Sequence, residues 1–82
     1  MELRHDFDTH GIPILLTQFG LKREQLERAS FHIQANVRLK VLHFINVIGN
    51  PKSSRKADIA ARTEMAEAVS RVWCFLSKPK HQ

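Results

Sequence analysis

From Leu21 to Ile48 the chain contains neither glycine nor proline, and the stretch is bounded by Gly20 on one side and Gly49-Asn50-Pro51 on the other. A run of roughly seven helical turns without a breaker leaves two options: a long helix, or strands with no residues suited to a turn between them. At about 100° per residue, Leu26, Ile33, Val37, Val41, Phe44 and Ile48 gather into an arc about 80° wide, broken only by Ser30. Gln25, Arg28, His32, Asn36, His43 and Asn46 fall opposite. The pattern predicts one helix across the whole segment. A strand competes inside it: "HIQANVRLKV", residues 32–41, alternates polar and apolar side chains and includes β-branched residues. Helix is the preferred reading, because the apolar stripe starts before this stretch and runs past it. A strand that long would also be expected to carry a turn or bulge. The alternative is an α+β fold with a strand at about 32–41.

The neighbouring segments fit the helical reading. Pro13 to Phe19 suits a short helix, with proline in its first turn, where the missing N–H is not needed, and Gly20 as its stop. Ser53 or Ser54 can cap a third segment, Ser54 to Ser77, by accepting from free N–H groups, and Asp58 suits its positive end. There Ala57, Ala61, Met65, Ala68, Val69, Val72, Phe75 and Leu76 share one face, opposite Glu64, Glu67, Arg71 and Lys78. A short turn between two long helices implies an antiparallel hairpin. The expected fold is therefore all-α: a short N-terminal helix and a long helical hairpin.

A chain of 82 residues is one domain, here with residues 1–11 read as a flexible leader and 78–82 as a basic tail. Domains this small bury a modest share of their surface and are commonly supported by oligomerisation. The single cysteine, Cys74, rules out an internal disulfide and points weakly to a reducing compartment. The richest apolar stretch, Val37 to Ile48, is too short and too interrupted by polar residues to span a membrane. "MELRHDFD" lacks the basic start and apolar core of a signal peptide. The expected location is cytoplasmic.

Both long helices carry more apolar surface than a two-helix hairpin needs. Phe31, Ala35, Leu39 and Leu42 form a second stripe well away from the first, and Ile59, Ala66 and Trp73 recur at heptad spacing beside the main face of the third segment. This surplus can cover the N-terminal helix, face a second copy to give a four-helix assembly, or receive a different protein. Apolar residues outside a core mark contacts, and Trp73 is the best single interface anchor.

The net charge of +5 is unevenly placed: residues 31–56 hold Arg38, Lys40, Lys52, Arg55 and Lys56 and no acid. Such a field attracts anions, and cations of this kind can contact phosphates and position a duplex. Within "DIAARTEMAEAVSRV", residues 58–72, Asp58, Ile59, Ala60 and Val69-Ser70-Arg71-Val72 resemble the helix-turn-helix of LacI-type repressors. The resemblance implies a DNA-binding regulator. The spacing is one residue short, however, Glu64 stands where the family's turn has glycine, and the stretch also satisfies one unbroken amphipathic helix.

Catalytic constellations are sparse. Cys74 has no histidine nearby in sequence and no helix start to activate it. His32 and His43 would lie about 16 Å apart along one helix, too far to share a metal. "HDFDTH", residues 5–10, has no recognised zinc spacing, and "GNPKSSRK" is not a phosphate-binding loop. Arg28 and His32, one turn apart on a continuous helix, are the remaining polar pair with a chemical use. The sequence thus predicts a non-enzymatic protein without metal or cofactor. It would regulate or inhibit a macromolecular partner through a helical surface (Phe31, Ala35, Leu39, Leu42, Ile59, Ala66 and Trp73), act as a homodimer, and use its basic end to steer an acidic partner. The alternative is a dimeric nucleic-acid-binding transcriptional regulator that uses Arg38, Lys40, Lys52, Arg55 and Lys56.

Overall fold

The computed structural model describes residues 3–78, and every regular element among them is helical. A helical run opens with α1 (Leu3–Asp6), passes through a π-turn (Phe7–Gly11) and continues as α2 (Ile12–Phe19). Then follow α3 (Arg23–Glu27), α4 (Phe31–Gly49) and α5 (Arg55–Leu76). The fold is all-α, and the competing strand at 32–41 does not form: those residues lie inside α4.

The hairpin of α4 and α5 organises the molecule. Val37, Val41 and Phe44 meet a face of Ala61, Met65, Ala68, Val69 and Val72, and all of these are buried. Asn50, in extended conformation ahead of Pro51, ends α4. Its side-chain oxygen accepts from the Lys52 N–H at 2.9 Å, closing the turn. Gly49 is the last helical residue of α4; the positive-φ glycine is Gly20, at 68°. Ser54 starts α5 by accepting from the Ala57 N–H at 3.0 Å. Ile48 remains about half exposed and lines an open cleft with Pro13 and Ile14, while Val47 is buried.

The long second helix of the sequence reading is in fact two helices. The chain turns at Arg28-Ala29-Ser30, and Ser30, read as a gap in the apolar arc, is the N-cap of α4: its Oγ accepts from the Ile33 N–H at 3.4 Å. Gln34 locks the corner by donating from Nε2 to the Ala29 carbonyl at 2.8 Å and the Glu27 carbonyl at 3.3 Å. Turning here tucks Leu26 and Ala29 into the core.

The segment read as a flexible leader contains helical turns from Leu3 onward, and Phe7 is 2% exposed. The π-turn ends two residues before Pro13 and contains Thr9, the residue whose carbonyl the proline ring would crowd in a regular α-helix. Gly11 makes the close approach possible: a Cβ there would lie 2.7 Å from Phe7 Cδ1 and 3.0 Å from Val41 Cγ1. The helical run thus packs on α4, and Asp8 reaches Arg23 of α3 at 3.2 Å. Apart from Lys78, the basic tail read at 78–82 lies outside the described residues.

Candidate functional site

The surplus apolar surface is left uncovered, and it divides between two faces. On α4, Leu39 lies about 200° round the helix from both neighbours in the α5-facing stripe, Val37 and, counting back, Val41. Phe31 and Leu39 are accordingly 76% and 62% exposed, Ala35 is exposed, and Leu42 is half-buried. Phe31 stands edge-on to His32, ring centres 6.5 Å apart. On α5, Ile59, Ala66 and Trp73 lie about 80–120° from the Met65 direction, on a flank rather than on the back. Ile59 is 56% and Trp73 38% exposed, and Ala66 is open to solvent.

Arg62 shows what separates them. Its guanidinium lies 4.8 Å from the centre of the Phe44 ring, its Nε donates to Asp58 at 3.0 Å, and its Nη1 reaches Gln18 of α2 at 3.4 Å. The N-terminal layer therefore sits over the groove between α4 and α5. The α5 stripe borders that layer, and the α4 stripe faces away from α5. The sequence reading treats the two stripes as one seam; the fold parts them.

The five cations of the acid-free stretch do not form one patch either. Lys52, Arg55 and Lys56 sit together around the hairpin turn, exposed, and none forms a salt bridge among the described residues. Lys40 is spent on an inter-helix bridge to Glu64 at 3.1 Å. Arg38 lies on the opposite flank of α4, its guanidinium 5.6 Å from the centre of the Phe7 ring. Arg4, which the sequence left unassigned, joins Arg38, Ala35 and Leu42 around a shallow cleft. No periodic signal could have placed Arg4 there, because it depends on how the N-terminal run packs.

The remaining polar candidates are scattered. Arg28 ends α3 and His32 lies in α4, so the corner at Ala29-Ser30 removes the one-turn relation expected of the pair. In "HDFDTH", Asp8 is held by Arg23, and His5 meets Thr9 at 3.5 Å. Cys74 is exposed. Among the described residues no three His, Cys, Asp or Glu side chains gather to hold a metal ion, and no helix is long and apolar enough to cross a membrane. α5 runs unbroken from Arg55 to Leu76, through Glu64, so the turn that a helix-turn-helix requires is missing. No family model, curated protein or solved structure matches the chain.

Proposed function

We propose that this chain is a small, non-enzymatic binding protein that regulates or inhibits a macromolecular partner through its helical surface and works as a homodimer. The observation that carries the reading is the regular spacing of large apolar side chains that stay exposed after the core is complete: Phe31 and Leu39 on α4, Ile59 and Trp73 on α5. Exposed to water, such side chains are unfavourably solvated, and burial in a contact lowers the free energy. Trp73 is the anchor for the macromolecular partner, being aromatic, partly exposed and flanked by small or polar neighbours at Ala66 and Ser70. The cations at the hairpin turn give an acidic partner a steered approach.

The test is capture from lysate of the source cell, with and without nuclease, by wild-type protein and by Trp73→Ala, followed by affinity measurement on the captured partner. The reading expects a nuclease-resistant protein partner and at least a tenfold loss of affinity for Trp73→Ala; unchanged affinity overturns it. The second reading, nucleic-acid binding, is favoured by one observation, the three exposed cations Lys52, Arg55 and Lys56 around the turn. It expects binding that falls steeply with salt, with Lys52→Ala or Arg55→Ala flattening the slope.

A further inference from the structure

We infer that the exposed stripe of α5 from Ile59 to Trp73, continued by the cations at the hairpin turn, seats one amphipathic helix of a different protein, whose acidic end lies against Lys52, Arg55 and Lys56. The inference rests on the reading of Trp73 as a partner anchor and adds what kind of partner it is and how it lies. Ile59, Ala66 and Trp73 recur at seven-residue spacing and all remain exposed. Such a repeat is the pattern that packs along a second helix crossing at about 20°. The middle of the stripe is low: Thr63, Ala66 and Ser70 are small and exposed, which lets a helix backbone come close. The Thr63 hydroxyl donates back to the Ile59 carbonyl at 2.9 Å, so its donor is already satisfied when an apolar side chain covers it. Bulk stands at the two ends, in Ile59 and Trp73.

Charge selects the occupant. Arg55 lies in line with the stripe, about one turn before Ile59, and Lys52 and Lys56 stand beside it at the turn. All three are exposed, and none forms a salt bridge among the described residues. The stripe itself carries no acid. Asp58 lies about 80° to one side of it and is held by Arg62 at 3.0 Å; Glu67 falls about 100° to the other side. The surface is thus apolar and small along its length and positive at one end, over about 27 Å from Arg55 to Trp73. Its complement is a helix with one apolar face and carboxylates at one end. A second copy of this chain does not supply that. The antiparallel register that sets Ile59 against Trp73 sets Arg55 against Ser77, next to Lys78, and parallel pairing sets Arg55 against itself. The dipoles of the two helices favour a partner antiparallel to α5, its negative C-terminal end at the cations.

Trp73 is the chain's one tryptophan, so its fluorescence reports on this face in the full-length protein. The probe is a synthetic helical peptide of three heptads, free of tryptophan, with leucine at the apolar positions and three glutamates in its last turn. Titrating it in should shift the emission to the blue and saturate. The affinity should fall several-fold as ionic strength rises from about 0.01 M to about 0.5 M. The same peptide with lysines in place of the glutamates should leave the emission unmoved. Lys52→Ala, Arg55→Ala should weaken binding at least fivefold and flatten the salt dependence. Ala66→Glu, which fills the low centre, should weaken it at least tenfold, with an unchanged far-ultraviolet circular dichroism spectrum showing that the helices persist. Leu39→Ala, on the other face, should change nothing. The inference is overturned by an emission that stays put up to about 1 mM peptide, by equal binding of the lysine peptide, by a blue shift that grows with protein concentration alone (a second copy), or by the same shift from a single-stranded oligonucleotide. If Trp73→Ala costs affinity for the captured protein while the acidic peptide fails to bind, the anchor reading stands and the acidic helix assigned here falls. Unchanged affinity for the captured protein overturns both.

Discussion

Along one side of α4, Val37, Val41 and Phe44 are sealed against α5 at 0–1% exposure; along the other, Phe31 and Leu39 are 76% and 62% exposed. Both stripes are apolar and lie on one helix, so helix propensity cannot distinguish them. What separates them is the presence of a partner. The inner stripe has one within the chain, supplied by the alanines, valines and methionine of α5. The outer stripe has none, and its side chains contribute little to folding. A single apolar stripe is what a surface helix ordinarily buries; α4 carries a second one, set among polar residues, that the fold leaves open.

A paired substitution can break this contrast, and others sharpen it with decreasing effect. Phe44→Ala should be the most damaging, because it removes a fully buried ring that also stacks under Arg62. A loss of about 3–5 kcal/mol is expected from urea unfolding. Phe31→Ala, measured at the same dilution, should stay within about 0.5 kcal/mol of wild type; a loss comparable to that of Phe44→Ala would mean that the outer face is core.

Gly11→Val probes the close contact between the N-terminal run and α4. Its Cβ would press on Phe7 and Val41, and thermal or urea unfolding should show a loss of about 1–3 kcal/mol. Ser30→Ala removes the cap of α4 and should cost about 1 kcal/mol, with faster amide exchange confined to Ser30–Ile33. Among substitutions at contacts the fold makes, the mildest is Lys40→Ala, which breaks the bridge to Glu64 at a partly exposed site. An effect below about 1 kcal/mol is expected.

The hairpin was legible because its signals are local and agree with one another. Gly49-Asn50-Pro51 stops one helix, Ser54 caps the next, and the facing stripes repeat at helical spacing. The corner at residues 28–30 was not legible, because the apolar arc runs through it and Ser30 looks the same whether it interrupts a helix or starts one. Only the return of Gln34 to the Glu27 and Ala29 carbonyls, a tertiary feature, tells them apart. Phe7 was missed for a related reason. It is a lone aromatic among acids and histidines, with no apolar periodicity around it, and its burial depends on Gly11 letting two helices approach. The same limit applies to the candidate site. Composition on a helical wheel reveals that both long helices have spare apolar surface, but whether the two spare stripes merge depends on where the N-terminal layer lies.

The central claim, that the outer face of α4 is open surface and not a part of the core, is tested most directly by the urea-unfolding midpoint at high dilution. It should be compared between wild type and Phe31→Ala, Leu39→Ala. The double variant should coincide with wild type, as substitutions outside the core do. A double variant far less stable at that dilution would contradict the account.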